Sequence, residues 1–289
     1  MTERNGAGQY QRGIALVAVL WMVAALSVLA LALAAATKAE LHNAQGVRAR
    51  AEAAAIGDAA IQLAVLELRS TPEAQQDFTH FGYEFAGRRV TVDLVPASGL
   101  VDLNQATEEL LAALFAGTGG EEPAVAVELA RRVVEWRTPG LTEAAADYLA
   151  AGVGYRPRGG TFQYPEDLLQ VLGVSYPLYD RVRGLITVRG GSAGVAARAA
   201  SEDVLTLLAG GDRELAARIA STRADDPATD MTGLAGQFLG GGGASVYRAD
   251  AHVQLGDRSY RRTRWVDLGQ GGADGTPWRS FRAEPITGN

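Results

Sequence analysis

An uncharged apolar stretch runs from Ile14 to Ala36 near the start of the chain. It is 23 residues long, and Ser27 is its only polar side chain. A helix of this length measures about 35 Å, which is enough to cross a hydrocarbon core of about 30 Å. A core helix of a soluble protein would carry polar residues at helical spacing, and this stretch does not. The pattern therefore predicts a membrane-spanning helix.

The helical pattern continues beyond the apolar stretch to about Arg69. Residues 37–69 are rich in Ala, Glu, Arg and Leu, which all favour helices. Pro72 ends the helix, because the residue before a proline disfavours the helical conformation. An apolar stripe recurs at helical spacing along the second half of this segment, and we expect it to face the rest of the protein. Its members are Ile56, Ala59, Ala60, Leu63 and Leu66.

Two separate segments carry strand patterns. The first predicts a hairpin within Phe78–Pro96, with strands at Tyr83–Phe85 and Val90–Leu94. The second begins at residue 244, and the strict alternation of apolar and polar residues over Tyr247–Leu255 predicts a half-buried strand there. The strands expected in this second segment are Tyr247–Leu255, Ser259–Leu268 and Trp278–Glu284. The sequence thus predicts one antiparallel sheet. Its first strands precede residue 98, and its last strands follow residue 243, near the C-terminus.

The interruption, residues 98–243, has helical character. Thr107 is expected to cap a first helix, since two acidic residues follow it in the first turn, where the helix dipole favours anions. A second helix is expected at Ala124–Arg137. Residues 106–111 align with residues 200–205, which indicates that this helical unit recurs.

Residues 162–188 lie between the two copies. They predict a short helix, a turn at Gly173, a second helix and a strand-like end at Leu185–Val188. The expected fold class is α+β: a long N-terminal helix packed on an antiparallel sheet, with a large all-α insert of helical hairpins. The expected segments are a leader at 1–13, a transmembrane and amphipathic long helix at 14–72, a first β-hairpin at 73–97, the inserted domain at 98–243 and strands completing the sheet at 244–289.

Composition narrows the possible functions. The chain has 289 residues, 47% of them hydrophobic, a net charge of −6 and no cysteine. The negative charge argues against a nucleic-acid binder that neutralises phosphates, and the lack of cysteine excludes disulfides and thiolate sites. Basic residues flank the apolar stretch on both sides, so the charge count does not decide its orientation.

The start of the chain resembles a prepilin. A secretory signal peptide is the alternative, but its apolar region would be about 7–15 residues long and would end at a cleavage site. Here a short basic leader and Gly13 precede an uninterrupted apolar helix, as in the type IV pilins and pseudopilins. That resemblance implies that a prepilin peptidase cleaves between Gly13 and Ile14 and that Ile14 is then methylated.

The whole chain resembles one family within that class. The resemblance is carried by R-G-I-A-L-V-A-V-L-W at 12–21, G-L-V-D-L-N-Q-A at 99–106, F-x-x-P-E-D-L-L-x-V-L-G-V at 162–174 and L-I-T-V at 185–188. These segments are similar to the K-type minor pseudopilins of the type II secretion system, the general secretion pathway protein K family. The resemblance implies a non-enzymatic subunit at the tip of the pseudopilus, which helps to initiate assembly for the export of folded proteins across the outer membrane.

The same resemblance implies a location and a set of partners. The subunit would cross the bacterial inner membrane once, with its globular domain in the periplasm. Its partners would be the I- and J-type minor pseudopilins, other pseudopilins, the prepilin peptidase, the inner-membrane secretion platform and membrane lipid, with no nucleic acid. A minor tip subunit of a type IV pilus is the alternative within the same class.

Ala18 occupies the fifth position counted from Ile14. Most pilins carry Glu there, and in that class its charge is thought to be neutralised by the N-terminal amine of the next subunit. A lone carboxylate in hydrocarbon costs several kcal/mol, so a subunit with no neighbour above it gains nothing from that Glu. The family resemblance implies that the K type lacks it, as this chain does.

Calcium is reported for the K type near an acidic loop after the second insert helix. The matching stretch here offers Glu143 and Asp147, with Arg137, Thr138 and Pro139 where acidic residues are expected. Calcium takes six to eight oxygen ligands. We therefore expect at most a weak calcium site at Glu143 and Asp147, no other cofactor and no confident metal site.

A membrane-anchored serine hydrolase is the alternative of another class. Residues 190–194 match G-x-S-x-G around Ser192, and Asp230 and His252 follow in hydrolase order. No parallel α/β pattern surrounds the motif, so a Gly/Ser linker explains it better. His42, His80 and His252 fall into no ligand spacing. The helical hairpins resemble DNA-binding modules, but acidic residues begin their helices and would repel phosphate. We expect no enzymatic activity.

Overall fold

This computed structural model describes residues 10–85, 87–140, 142–223, 226, 228–241, 243, 245–273 and 275–288. The helices are α1 Tyr10–Ser70, α2 Glu108–Gly117, α3 Pro123–Arg137, α4 Thr142–Ala150, α5 Tyr176–Val182, α6 Glu202–Leu208 and α7 Arg213–Thr222. The strands are β1 Thr79–Phe85, β2 Arg88–Pro96, β3 Val101–Asp102, β4 Ile186–Thr187, β5 Val246–Leu255, β6 Arg258–Asp267, β7 Arg279–Ala283 and β8 Thr287–Gly288. Short 3₁₀ helices lie at Pro72–Gln76, Ala97–Gly99, Pro165–Gln170 and Gly236–Phe238.

The long helix α1 contributes to two units of the chain, residues 1–53 and residues 54–289. It begins at Tyr10, inside the segment expected to be an irregular leader, and it ends at Ser70, just before Pro72 as expected. In the first unit, Leu16–Leu33 has a mean hydropathy of 2.7, and none of it is buried. A segment so apolar and so exposed is suited to hydrocarbon rather than water.

A single antiparallel sheet dominates the second unit, with strand order β1-β2-β5-β6-β7, and β8 also pairs with β6. The central pairing joins β2 to β5, in register from Val90 opposite Val253 to Pro96 opposite Tyr247. The chain therefore leaves the sheet after β2 and returns beside the same strand. This confirms the expectation that strands on both sides of the insertion form one sheet.

The C-terminal part of α1, residues 54–70, packs on one face of this sheet. The expected contact stripe is wrong in register: Leu63 and Leu66 are 43% and 56% exposed, and Ala59 is also exposed. The helix instead buries a different set with the same spacing. Its members are Gly57, Ala60, Ile61, Ala64, Val65 and Leu68. Both sets recur at i, i+3 and i+4, so periodicity alone could not choose between them.

Gly57 explains why this face was selected. A Cβ placed on Gly57 would lie 2.7 Å from the Cβ of Arg262 on β6. A larger residue would hold the helix away from the sheet, whereas glycine lets the two backbones approach closely. The small side chains of Ala60 and Ala64 follow along the same face.

The insert consists of helical hairpins, as expected, but it is not all-α. Strands β3 and β4 form a two-residue parallel pair, Val101 with Ile186 and Asp102 with Thr187. Helix α4 occupies the stretch that contains Glu143 and Asp147. The expected N-cap at Thr107 is confirmed, since its hydroxyl accepts a hydrogen bond at the start of α2. Ser201, which aligns with Thr107, caps α6 in the same way.

The insert and the sheet share one hydrophobic core. Val95 of β2, Val246 of β5 and Trp265 of β6 belong to the same buried cluster as the insert helices. A bidentate ion pair between Arg198 and Asp77, at 2.9 and 2.7 Å, ties the insert to the segment before β1. The insert therefore covers part of the sheet face opposite α1.

Candidate assembly surfaces

The predicted cleavage site lies at the beginning of α1. Gly13 and Ile14 are helical, and their side chains fall outside the described residues. Ala18 is exposed. Further along, the hydroxyl of Ser27 donates to the carbonyl of Val23 at 2.8 Å, so the helix itself satisfies this polar group. The described residues of the span thus bring neither a charge nor an unsatisfied side chain into a membrane.

Polar contacts at the edges of the packed face hold residues 54–70 against the sheet. Asp58 accepts hydrogen bonds from Arg262 at 2.8 and 3.3 Å and from Arg264 at 2.8 and 2.7 Å. Burial alone would raise the pKa of Asp58, but the two guanidinium groups outweigh it and lower the pKa below its usual value. On the other side, the Tyr83 hydroxyl donates to Glu67 at 2.9 Å. These contacts fix the rotation of the helix on the sheet.

That rotation leaves an apolar surface pointing away from the sheet, which we name the outward face. Its side chains are exposed and small or aliphatic, and none carries a charge. Its members are Ala55, Ala59, Leu63 and Leu66. Three of the five residues of the predicted contact stripe therefore lie here rather than in the core. A continuous apolar face on a helix is typical of a surface that packs against another helix.

The segments that carry the family resemblance meet inside the insert. Asn104 accepts from the backbone N–H of Phe162 at 2.7 Å, and its amide donates to the carbonyls of Phe162 and Val188 at 3.0 and 3.1 Å. Asp102, which is 3% exposed, accepts from the backbone of Asn104 and Gly191, each at 2.8 Å. Burial raises the pKa of Asp102 despite these hydrogen bonds. The motif residues therefore join three distant segments, and the contacts assign them a structural role.

Two histidines that are far apart in the sequence share one carboxylate on the sheet face opposite α1. His80 of β1 lies 2.6 Å and His252 of β5 lies 3.4 Å from the carboxylate of Asp93 on β2. Sequence spacing could not show this, because strand pairing brings the three together. The hydrogen bond and charge of Asp93 raise the pKa of His252 despite its burial. Within the described residues, no cluster of three or more His, Cys, Asp or Glu side chains is arranged to hold a metal ion.

The three residues of the hydrolase alternative have separate partners. The Ser192 hydroxyl accepts from the backbone of Gly194 at 3.3 Å, and Asp230 accepts from the backbone of Thr232 at 2.8 Å. His252 contacts Asp93 instead. Each side chain thus has a local contact, and no described contact joins the three into a triad.

The predicted calcium ligands both lie on α4. The side chain of Glu143 falls outside the described residues. Asp147 lies near Arg131, whose pKa is raised chiefly by the hydrogen bond to Glu128 and further by the charges of neighbouring carboxylates, including Asp147. A calcium site here stays a prediction, and a nearby guanidinium would oppose a bound cation.

The chain matches no model of a known protein family, and it matches no curated protein. Among solved structures, it is similar to one chain of the crystal structure of the GspK-GspI-GspJ complex from the enterotoxigenic Escherichia coli type 2 secretion system. The two chains are 14% identical, the match covers 86% of this chain and 98% of that chain, and the TM-score is 0.49.

Proposed function

We propose that this protein is a K-type minor pseudopilin that caps the tip of the type II secretion pseudopilus and helps to initiate its assembly. One combination of features carries the proposal. An uncharged, fully exposed apolar segment at Leu16–Leu33 belongs to the same helix that packs, through residues 54–70, on a sheet interrupted by helical hairpins. The role is structural, and it requires surfaces rather than reacting groups.

The apolar segment would act in two environments. Before assembly it would anchor the subunit in the inner membrane as a single span, with the folded unit in the periplasm. In the pseudopilus, neighbouring helices would replace lipid around it. Both environments are apolar, so the exchange needs no new charge or hydrogen bond. Cleavage between Gly13 and Ile14 by the prepilin peptidase would precede this step.

Ala18 supports a position at the tip. A subunit stacked above this one would bring its N-terminal amine into the apolar region, and this chain offers no carboxylate at the fifth mature position to neutralise it. An unpaired charge in that environment costs several kcal/mol. Addition of a further subunit above this one is therefore disfavoured, whereas packing below it is not.

The outward face of α1 supports the proposed partners. Ala55 and Ala59 allow close approach of a second helix, and Leu63 and Leu66 offer apolar surface for it to bury. We assign this face to the I- and J-type minor pseudopilins. Other pseudopilins and the inner-membrane platform would meet the complex after it forms.

Co-purification of the full-length protein with the I- and J-type subunits from membranes tests the proposal. We expect a stable complex that contains this chain with methylated Ile14 as its first residue, as seen by mass spectrometry. The double variant Leu63→Asp/Leu66→Asp should lose the complex and keep its melting temperature, because both side chains are exposed. Leu149→Asp, an equally exposed leucine on α4, is the matched control and should keep the complex.

Two results would contradict the proposal. One is an intact leader or cleavage beyond Ala36 in the membrane form. The other is a complex that survives the double substitution as well as the control, because the outward face would then carry no contact.

A further inference from the structure

A groove lies on the sheet face opposite α1, between strand β7 and two segments of the insert, 163–166 and 187–189. Its volume is about 310 Å³, at the small end of the range for ligand sites. Its apolar lining includes Tyr164, Pro165, Val188, Trp265 and Phe281. Two arginines, Arg189 and Arg282, and two glutamates, Glu166 and Glu284, also line it.

The wall formed by β7 is an open sheet edge. Strand β7 is the last in the sheet order and pairs with β6. Among the described residues, no other strand pairs with it, and no backbone hydrogen bond from a loop reaches Arg279–Ala283. An open edge presents unpaired N–H and C=O groups to which an extended peptide can add as a further strand.

Some of the charged side chains described around the groove have a bonded partner, and one does not. Arg282 is bonded to Glu166, and the Trp265 indole donates to Glu284 at 3.0 Å, so these groups are satisfied. Arg189 differs, because its guanidinium lies 4.5 Å from the centre of the Phe281 ring. Within the described residues, no carboxylate forms an ion pair with it. A stacked guanidinium that lacks a counterion is suited to binding a carboxylate through paired hydrogen bonds.

A second cavity of about 370 Å³ adjoins the first. Gln163, Val188 and Arg189 line both cavities, so Arg189 stands where they meet. The far side of the second cavity is polar and includes Gln105 and Thr161. The lining of the first cavity is thus largely apolar with paired charged groups, Arg189 lies where the two cavities meet, and the second cavity is polar and includes the buried carboxylate of Asp102.

We propose that this groove binds an extended peptide segment of another protein, in which a large apolar side chain lies two residues before an acidic one, so that both side chains point to the same face of the added strand. The apolar side chain occupies the cavity at Trp265 and Phe281, the carboxylate pairs with Arg189, and the peptide backbone adds to β7. This site goes beyond the proposed assembly role and does not depend on it. It lies on the opposite side of the sheet from α1, whose outward face is the surface assigned to partner helices.

Fluorescence polarisation with labelled octapeptides and the full chain in detergent tests the site. The probes have the cores Phe-Ser-Asp, Phe-Ser-Asn and Ser-Ser-Asp in an otherwise identical Gly/Ser/Thr sequence, and they are called the Phe-Asp, Phe-Asn and Ser-Asp peptides after their first and third core residues. We expect the Phe-Asp peptide to saturate the protein below about 1 mM and each of the other two to bind about tenfold more weakly or worse. A Phe-Asp peptide N-methylated at alternate backbone positions should also lose binding, because it cannot form strand hydrogen bonds.

Arg189→Gln is the decisive variant. It should bind the Phe-Asp and Phe-Asn peptides equally weakly, while Arg258→Gln, a change of the same kind at the exposed first residue of β6, should keep the preference for Phe-Asp. Because Arg189 is exposed, the substitution should leave the fold intact, which the melting temperature checks. A benzoyl-phenylalanine probe in place of Phe should cross-link to the groove.

Several outcomes would overturn the proposal. They are absence of saturable binding by any of the peptides, an unchanged preference in Arg189→Gln, full binding by the N-methylated peptide, or cross-links outside the groove. The binding of the I- and J-type subunits is measured separately, so failure of one proposal does not imply failure of the other.

Discussion

The two faces of helix α1 between residues 54 and 70 have similar apolar spacing and different environments. One face packs on the sheet and includes Ile61, Val65 and Leu68, which are 1%, 0% and 1% exposed. The other carries Leu63 and Leu66 in contact with solvent. The side chains of the packed face are smaller at its N-terminal end, where Gly57 lies against β6. Shape complementarity to the sheet, rather than hydrophobicity, therefore decided which face was buried.

This difference has a functional meaning. A helix that buried all of its apolar residues on the sheet would have no apolar surface left for a partner. Here the outward face keeps several apolar side chains exposed to water, which is unfavourable. An assembly contact would bury them and remove this unfavourable exposure. The comparison can be tested by substitutions that separate folding from assembly.

The largest effect is expected from truncating a packed leucine. Leu68→Ala should lower the free energy of unfolding by about 2 to 5 kcal/mol, because it removes buried methyl groups and leaves a cavity. Leu66→Ala removes the same atoms from the outward face and should change it by less than about 0.5 kcal/mol. Urea denaturation followed by tryptophan fluorescence measures both. Equal losses of unfolding free energy in the two variants would show that the two faces contribute equally to stability.

Gly57 gives the next largest effect. Gly57→Ala should destabilise the protein by about 1 to 3 kcal/mol, because its Cβ would overlap the side-chain stem of Arg262. Gly46→Ala is the matched control, since no atom lies within 4 Å of a Cβ at that helical position. Alanine favours helices over glycine, so the control should show no loss. A neutral Gly57→Ala would mean that the close approach is not required.

Asp58 tests the polar edge of the packed face. Asp58→Asn should cost about 1 to 2 kcal/mol at pH 7, because two arginines lose their anionic partner and the site is only partly exposed. The pKa of Asp58 is lowered in the folded state, so its contribution is complete above the unfolded pKa of about 4 and is lost as the pH falls through the folded value. The difference between wild type and variant should therefore shrink in acid. A difference independent of pH between 7 and 3 would contradict this account.

His252 extends the comparison to the opposite side of the sheet and gives the smallest effect. It faces Asp93, Asp250 and Arg261, and its pKa is raised, chiefly by the hydrogen bond to Asp93. Its contribution is therefore present below the unfolded pKa of about 6.5 and is lost as the pH rises through the folded value. His252→Gln should cost less than about 1 kcal/mol at pH 6 and less still at pH 8.5, because solvent partly screens this half-buried pair. If the loss of stability in His252→Gln grew as the pH rose, the pKa of His252 would be lowered in the folded state rather than raised.

Much of the architecture was predictable because it depends on local patterns. The apolar run, the end of α1 before Pro72 and the N-cap at Thr107 are short-range features. Strand patterns predicted β5 and β6, and the break in strand pattern predicted the insertion. The small sheet of β3 and β4 was missed as a sheet, because each strand has two residues and pairing across the insert leaves no periodic signal.

The candidate surfaces were predictable only in part. The apolar stripe was recognised, but its predicted orientation was wrong. A helix with two apolar faces can bury either one, and the sequence pattern alone does not distinguish them. His80, Asp93 and His252 come from three strands, and only strand register brings them together. The groove beside β7 had no sequence signal, because β7 and the insert segments that face it are 90 or more residues apart in the chain.

The sequence by itself determined a charge-free apolar span, a helix that continues beyond it, and an antiparallel sheet divided by helical hairpins. These follow from hydrophobic spacing and turn residues, which act over a few positions. Only the tertiary structure decided that α1 turns Gly57 and Ile61 toward the sheet and leaves Leu63 and Leu66 exposed. The reason is steric: close packing depends on the shapes of two surfaces that are distant in the chain, and hydrophobicity along one strand or helix does not encode that fit.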